Sequence, residues 1–173
     1  MSEIRRVVTG LDAADKAVAL FDSKVPLKPG RTDNPGAVLW ITDSNPAGFS
    51  LQDTAEQTIG IPPPDHGSVI RVVEFLPTTD AALAKIDHTL MSNAIGDKAA
   101  VRGRPAKHPL MHRTRSVDYA VILSGEIDML LDDETIHVKA GDVIVQQATN
   151  HAWINRGTKP CRIVFVLMDA QQP

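Results

Sequence analysis

The C-terminal part of the chain alternates short apolar runs with turn residues, and this pattern restricts the fold more than any other feature. Val, Ile, Leu and aromatic residues dominate each run, and Gly, Asp, Asn and Pro separate the runs. The runs cover residues 119–123, 126–131, 135–138, 143–146, 152–155 and 162–168. Strands of this length, about 8–12 residues apart with no helix between them, predict an antiparallel sandwich or barrel.

The first half of the chain adds further strand candidates. Residues 4–9, 17–21, 37–42 and 68–75 are rich in Val and Ile. The connections at 28–36 and 61–67 are rich in Pro and Gly, which favour turns. One helix is predicted over about 80–93, capped by Thr78 or Thr79 and lying outside the sheet. We interpret His88 in this helix as a surface or packing residue, since no partner ligand lies at helical spacing on its face.

Length and charge exclude several classes of protein. A chain of 173 residues with 43% hydrophobic residues fits one domain with its own core. A net charge of −3 and the absence of a helix-turn-helix pattern argue against nucleic-acid partners. No apolar run is long enough to span a membrane, and the N-terminus lacks the apolar core of a signal peptide. We therefore expect a cytoplasmic protein, with the lone Cys161 as a small core or edge residue.

The basic residues are distributed unevenly. They cluster just before and within a histidine-containing segment, at Arg102, Arg104, Lys107, Arg113 and Arg115. Two interpretations remain open: the cluster is a solvated loop, or it recruits an anionic small molecule.

Two short segments place potential metal ligands on neighbouring strands. The first is His-Arg-Thr-Arg-Ser-Val-Asp at 112–118, and the second is His-Ala-Trp-Ile-Asn at 151–155. Imidazole and carboxylate side chains that converge inside a small β-structure can hold one divalent cation. The candidate ligands are His112, Asp118 and His151.

These segments resemble the two motifs of the cupin superfamily. The matching residues are His112, Asp118 and Gly125 in the first motif and Gly141, His151 and Asn155 in the second. The resemblance implies an all-β fold: an antiparallel, jelly-roll-like cupin barrel at 67–173, with an N-terminal strand arm at 1–66 and one or two short helices. The combination of His-x-Thr, Asp-Tyr and His-Ala-Trp is similar to a group of small single-domain cupins, some of them labelled oxidoreductases.

The departures from the cupin pattern concern the metal site. Thr114 replaces the second histidine of the first motif, and Asp118 replaces a glutamate. The resemblance then implies three protein ligands, His112, Asp118 and His151, for Fe, Mn or Zn. Thr114 would hydrogen-bond a metal-bound water or a substrate oxygen. The alternative is a metal-free pocket in which Asp118 pairs with a protonated histidine or an arginine, because aspartate has a shorter reach than glutamate.

Four other residues receive individual predictions. Trp153 shares a strand face with His151, so it is either an aromatic wall of the pocket or an ordinary core residue. Tyr119 should point away from the cavity. Asn155 is predicted to bond the backbone at a strand end, with no catalytic role. His108 is a minor candidate as an auxiliary ligand or base.

The leading functional hypothesis is a metal-dependent enzyme that acts on a small anionic or aromatic metabolite, with oxidation favoured over isomerisation or decarboxylation. Thr114 and Asp118 are the candidate catalytic residues, and Thr114 and Trp153 the candidate substrate-binding residues. The alternative is a non-catalytic cupin that binds a small molecule without metal. An exposed edge strand also predicts a homodimer.

Overall fold

The computed structural model describes residues 2–30, 33–83 and 107–171. In these ranges the chain forms β-strands throughout, with two short helical turns. The strands are β1 Glu3–Leu11, β2 Ala17–Pro26, β3 Lys28–Pro29, β4 Pro35–Thr42, β5 Ser68–Phe75, β6 Ser116–Ser124, β7 Glu126–Leu130, β8 Thr135–Lys139, β9 Val143–Gln147, β10 Ala152–Ile154 and β11 Cys161–Asp169. The helical turns are a 3-10 turn at Thr54–Glu56 and α1 at Asp80–Leu83.

The strands form two main sheets and a separate hairpin. The larger sheet has the order β3-β4-β5-β11-β6-β9, the smaller one has the order β10-β7-β8, and β1 pairs with β2. Every strand pair is antiparallel. The all-β antiparallel prediction is therefore confirmed, and each strand predicted from the sequence is present.

The main core lies between the two sheets. Strands β6 and β11 of the larger sheet and all three strands of the smaller sheet contribute to it. Its buried members are Ala120, Ile122, Ile127, Met129, Val138, Trp153, Cys161 and Ile163. Burial raises the pKa of the Cys161 thiol to about 11, so this residue is a protonated core side chain, as predicted.

Strand β6 shows how alternation sorts side chains between the interior and the outer face. Ser116, Asp118 and Ala120 are buried, whereas Tyr119 and Leu123 between and beyond them are exposed. Because successive side chains of a strand point to opposite faces, Asp118 points inward and Tyr119 outward. The predicted outward orientation of Tyr119 is confirmed.

The N-terminal hairpin covers part of the outer face of the larger sheet. Ile4 and Val25 pack on a cluster of Leu27, Leu39 and Val72. Strand β4 pairs with β5 and so belongs to the larger sheet itself. The predicted arm therefore supplies both a covering hairpin and a strand of the sheet, and the division at residues 66 and 67 stays a prediction.

One local prediction needs adjustment, and a second can be compared with the structure only in part. The connection at 28–36 contains the two-residue strand β3, which pairs with Pro35 and Gly36. Pro29 is tolerated there because β3 is an edge strand and needs no donor on its open side. Helix α1 begins where predicted, and the Leu83 amide donates to the Thr79 carbonyl at 3.0 Å. Residues 84–93 of the predicted helix, including His88, lie outside the described residues.

Strand β9 forms an edge of the larger sheet, and the outer face beside it is apolar. Val143, Val145, Tyr119 and Leu123 are exposed on this face. It is a natural surface for the predicted homodimer, which stays a prediction. Over the described part of the chain, the helical segments are too short to cross a bilayer.

Candidate functional site

The five main candidate site residues predicted from the sequence line one cavity inside the barrel. Its volume is about 360 Å³, and its lining includes His112, Thr114, Asp118, His151 and Trp153. A cavity of this size lies at the low end of the range of about 300–1,000 Å³ that is typical of small-molecule sites.

The backbone itself brings His112 and His151 together. The two residues form an isolated antiparallel bridge, in which each amide donates to the other's carbonyl at 2.9 Å. Side chains that are directly opposite in such a pair lie on the same face. The two imidazole rings accordingly have centroids 4.2 Å apart.

Both imidazoles are held by the same kind of hydrogen bond. His112 Nδ1 lies 2.9 Å from the Leu110 carbonyl, and His151 Nδ1 lies 3.0 Å from the Thr149 carbonyl. A carbonyl oxygen can only accept, so each Nδ1 carries the proton and donates it. The lone pair of each ring is then on Nε2, as in histidines that bind metals through Nε2.

The environment keeps both rings uncharged. Burial lowers the pKa of His112, although its bond to the Leu110 carbonyl opposes this effect. The pKa of His151 is well below its usual value, first because of burial and then because of the nearby His112. Two neutral imidazoles side by side suit metal ligation, since a protonated ring has no lone pair to offer.

Asp118 lies in the same cavity and is fixed by two neighbouring side chains. Ser116 Oγ lies 2.5 Å from Asp118 Oδ1, and Gln146 Nε2 donates to Asp118 Oδ2 at 2.9 Å. Both carboxylate oxygens thus accept a hydrogen bond from a buried side chain. Over residues 2–30, 33–83 and 107–171, no three His, Cys, Asp or Glu side chains form a group that could hold a metal ion. The structure therefore brings two of the three predicted ligands together, and Asp118 lines the same cavity.

Burial makes Asp118 an unusually weak acid. It raises the pKa of the carboxyl group to about 6, against the opposing effects of the Ser116 hydrogen bond, the Arg71 charge and a hydrogen bond from Thr114. Desolvation prevails because the side chain is only 5% exposed. A carboxyl group with such a pKa can exchange a proton near neutral pH.

Thr114 belongs to the same group of polar side chains as Asp118. It is fully buried, lines the cavity, and its Oγ1 lies 2.9 Å from Ser116 Oγ. Ser116 has one hydroxyl proton, so it serves either Thr114 or Asp118 at a given moment. These hydroxyl groups, the Asp118 carboxylate and the Gln146 amide thus form one connected network, of which Thr114 and Asp118 line the cavity.

Trp153 contributes an aromatic side chain to the wall of the cavity. Its ring centroid lies 5.8 Å from that of Phe165, 6.5 Å from that of Phe75 and 6.3 Å from that of His151. Trp153 is both a member of the core and a lining residue of the cavity. The two interpretations offered by the sequence, a wall of the pocket and a core residue, are therefore compatible.

Residues 102–167 match the family model described as the cupin domain. A protein from Salmonella typhimurium LT2 assigned to ethanolamine utilization has a similar fold, with a TM-score of 0.50 at 11% identity over 99% of this chain and 100% of that one. The chain contains a cupin domain. The cupin resemblance and fold predicted from the sequence are confirmed.

Curated relatives of this chain include several fungal proteins. Phomopsin biosynthesis cluster protein C' of Diaporthe leptostromiformis is 53% identical over 70 residues, which are 39% of this chain and only 37% of that protein. The cupin-domain-containing oxidoreductases srdD of Neurospora crassa and fogC of Aspergillus ruber are 25% and 28% identical. These alignments cover 99% and 98% of this chain and 78% and 74% of the relatives.

Two residues that hold Asp118 and one residue that lines the cavity were not predicted from the sequence. Ser116 and Gln146 hold Asp118, and Arg71 lines the cavity from β5. Ser116 is two residues from Asp118, so strand alternation could have placed it on the same face. Arg71 is the one arginine in the mostly apolar run 68–75, and this could likewise have indicated a functional side chain. Gln146 lies opposite Asp118 in the β6 and β9 pairing, which requires the strand register.

The remaining polar candidates that the structure describes do not line the cavity. Lys107 pairs with Asp133 at 2.7 Å, and Arg115 pairs with Asp65 at 2.9 Å and with Asp169 at 3.0 Å. These two members of the basic cluster therefore serve ion pairs within the chain, while Arg102 and Arg104 lie outside the described residues. His108 accepts from the Leu110 amide at 3.2 Å and is not a lining residue.

Proposed function

We propose that this cupin is an oxidoreductase-type enzyme that acts on a small metabolite in its cavity, with a divalent metal held by His112 and His151. The observation that carries the proposal is the histidine pair: two neutral rings that lie side by side, each donating its Nδ1 proton to a carbonyl. The names of the fungal relatives srdD and fogC supply the reaction class.

The two imidazoles are donors of a type that Fe, Mn and Zn accept. In both imidazoles the lone pair is on Nε2, which can bind a metal. The hydrogen bonds from Nδ1 to backbone carbonyls orient the rings, as they do in metal-binding histidines. Asp118 is the third ligand in the proposal, since carboxylates that bind metals are themselves commonly hydrogen-bonded, as Asp118 is to Ser116 and Gln146. When bound, the metal supplies Lewis acidity or a site for dioxygen.

The other lining residues bind the substrate and move protons. Thr114 orients a polar group of the substrate, and Trp153 packs against its apolar part. Asp118 exchanges a proton with the bound molecule when it is not ligated, because its pKa of about 6 makes both protonation states accessible. No nucleic-acid or membrane partner forms part of this proposal.

A second function is favoured by the position of the Asp118 carboxylate. Both carboxylate oxygens already accept hydrogen bonds, from Ser116 and Gln146. The described residues contain no group of three His, Cys, Asp or Glu side chains that could hold a metal ion. A cavity of this kind suits a cupin that binds a small molecule without metal. Metal analysis distinguishes this function from the metal-dependent enzyme.

Metal analysis of protein purified without chelator tests the proposal. We expect stoichiometric iron, manganese or zinc in the wild type and its loss in His151→Ala, because removal of one of two imidazoles leaves too few donors. The matched control is His137→Ala, since His137 is an exposed histidine outside the cavity lining. A site that stays empty after metal addition would contradict the enzyme proposal and support the metal-free function.

A further inference from the structure

A continuous row of aromatic rings runs along the wall of the cavity. It begins at the histidine pair and passes through Trp153 and Phe165 to Phe75, and all five side chains line the cavity. Neighbouring ring centroids are 4.2 Å apart for His112 and His151, 6.3 Å for His151 and Trp153, 5.8 Å for Trp153 and Phe165, and 6.3 Å for Phe165 and Phe75. A ligand with a polar group at the histidines therefore has aromatic side chains within reach of the rest of its body.

Strands of both sheets supply these rings. His151 directly precedes β10 and shares a face with Trp153, which lies in this strand of the smaller sheet. Phe165 lies in β11 and Phe75 in β5, which are neighbouring strands of the larger sheet. The row therefore crosses the interior from one sheet to the other, and both sheets fix its position.

The rings of the two phenylalanines and the tryptophan meet edge to face. The ring plane of Phe165 is inclined by 70° to that of Trp153 and by 71° to that of Phe75. Both phenylalanines are only partly buried and line the cavity, so they retain surface for a further contact. Because aromatic rings prefer edge-to-face and offset contacts with one another, a flat ring in the cavity can extend this arrangement.

The basic side chains of the cavity wall give less support to an anionic ligand. Arg71 already donates to the Gly60 carbonyl at 3.1 Å, and its charge acts on the Asp118 carboxyl group. Lys28 lies in the exposed edge strand β3, where a charge contributes little to binding. The sequence left anionic and aromatic metabolites open, and the wall of the cavity favours the aromatic class.

We propose that the ligand of this cavity is a small aromatic alcohol or ketone, with its oxygen at the histidine pair and its ring against Trp153 and Phe165. The Thr114 hydroxyl, which lines the same cavity, can donate to such an oxygen or accept from it. Phe165 is the specificity-determining residue, because its ring meets both Trp153 and Phe75 and is partly open to the cavity. The inference rests on the proposed function and specifies the substrate class of its site.

Ligand-detected NMR titration with matched probes tests this assignment. The probes are 2-phenylethanol with 2-cyclohexylethanol, and acetophenone with cyclohexyl methyl ketone, so each pair differs only in the ring. A merely apolar cavity would bind the cyclohexyl compounds more tightly, because they have the larger apolar surface. We expect the wild type to bind at least one phenyl compound at least about threefold more tightly than its cyclohexyl partner, through contacts between aromatic rings.

Substitutions of Phe165 locate this preference. Phe165→Leu should abolish it, because leucine keeps an apolar contact but removes the ring. The matched control is Phe21→Leu, which should leave the preference unchanged, since Phe21 also pairs with a tryptophan, Trp40 at 6.4 Å, but does not line the cavity. Phe165→Tyr keeps a ring and should retain the preference. If Phe165→Leu does not fold, the wild-type comparison and Phe165→Tyr decide.

Several results would overturn the assignment. These are a wild type that binds no phenyl probe, a wild type that binds both cyclohexyl compounds as tightly as their phenyl partners or more tightly, or a Phe165→Leu variant that retains the preference. Metal content separates this inference from the proposed function. A metal-free protein that prefers phenyl compounds contradicts only the proposed function, and a metal-loaded protein without the preference contradicts only this inference.

Discussion

Replacement of Asp118 by asparagine is expected to stabilise the metal-free protein at neutral pH by about 3 kcal/mol. Burial raises the pKa of this carboxyl group from 3.8 to about 6, so the ionised form is disfavoured in the folded state. Asparagine has nearly the same shape and carries no charge. The Gln146 side chain can rotate its amide to present an oxygen to the new NH₂ group.

The stabilisation should depend on pH in a defined direction. Because its pKa is raised on folding, Asp118 binds a proton more readily in the folded than in the unfolded state between pH 3.8 and about 6. The wild type therefore loses the stability that protonated Asp118 contributes as the pH rises from 3.8 to about 6. The difference in unfolding free energy between Asp118→Asn and the wild type should be small at the acidic end and largest above about pH 6.

Denaturant unfolding across this pH range checks the prediction. The matched control is Asp22→Asn, because Asp22 is an exposed carboxylate whose pKa is lowered by Arg5. Asp22→Asn should give no stabilisation. Destabilisation of Asp118→Asn at neutral pH, or a difference that does not vary with pH, would mean that Asp118 is not a desolvated carboxylate.

Replacement of Asn155 by alanine should destabilise the protein by about 3 kcal/mol. Asn155 Nδ2 donates to the Phe75 carbonyl at 2.9 Å and to the Lys159 carbonyl at 2.8 Å, and its Oδ1 accepts from the Gly157 amide at 2.9 Å. The side chain is only 1% exposed. Alanine would leave these three backbone groups without their partner, which costs more than the loss of a solvated hydrogen bond.

Thermal or denaturant unfolding measures this effect, with Asn150→Ala as the matched control. Asn150 makes a longer contact of 3.2 Å with Asp132, and its Oδ1 is buried without a partner. Its replacement should cost less than about 1 kcal/mol. Equal effects of the two substitutions would show that Asn155 does not hold the turn after β10.

The strands were predictable from the sequence because their local signals agree with the fold. Alternation in β6 and the turn residues around β7, β8 and β9 indicate the same antiparallel arrangement. The short strand β3 was missed, since it lies among prolines and glycines and exists only through its pairing with β4. Local propensity cannot anticipate such a pairing.

The candidate site was only partly predictable. The spacing within residues 112–118 and 151–155 indicated a shared pocket, and Asn155 has the backbone-bonding role expected of it. The direct pairing of His112 with His151 depends on register, which the sequence does not define. The attachment of Asp118 to Gln146 depends on register for the same reason.

The central claim is that His112 and His151 present two unprotonated Nε2 atoms in the cavity. Nitrogen-15 NMR of histidine-labelled, metal-free protein at neutral pH measures this directly. The chain has six histidines, so single His→Gln variants can assign each ring. The nitrogen-15 chemical shift of each ring nitrogen depends on whether that nitrogen carries the proton.

We predict that both rings are neutral, with the proton on Nδ1, and that added zinc shifts both Nε2 resonances but not those of His137. Either ring protonated on Nε2, or charged at neutral pH, would contradict the account. In that case the lone pairs on which the proposed metal site depends would not be available.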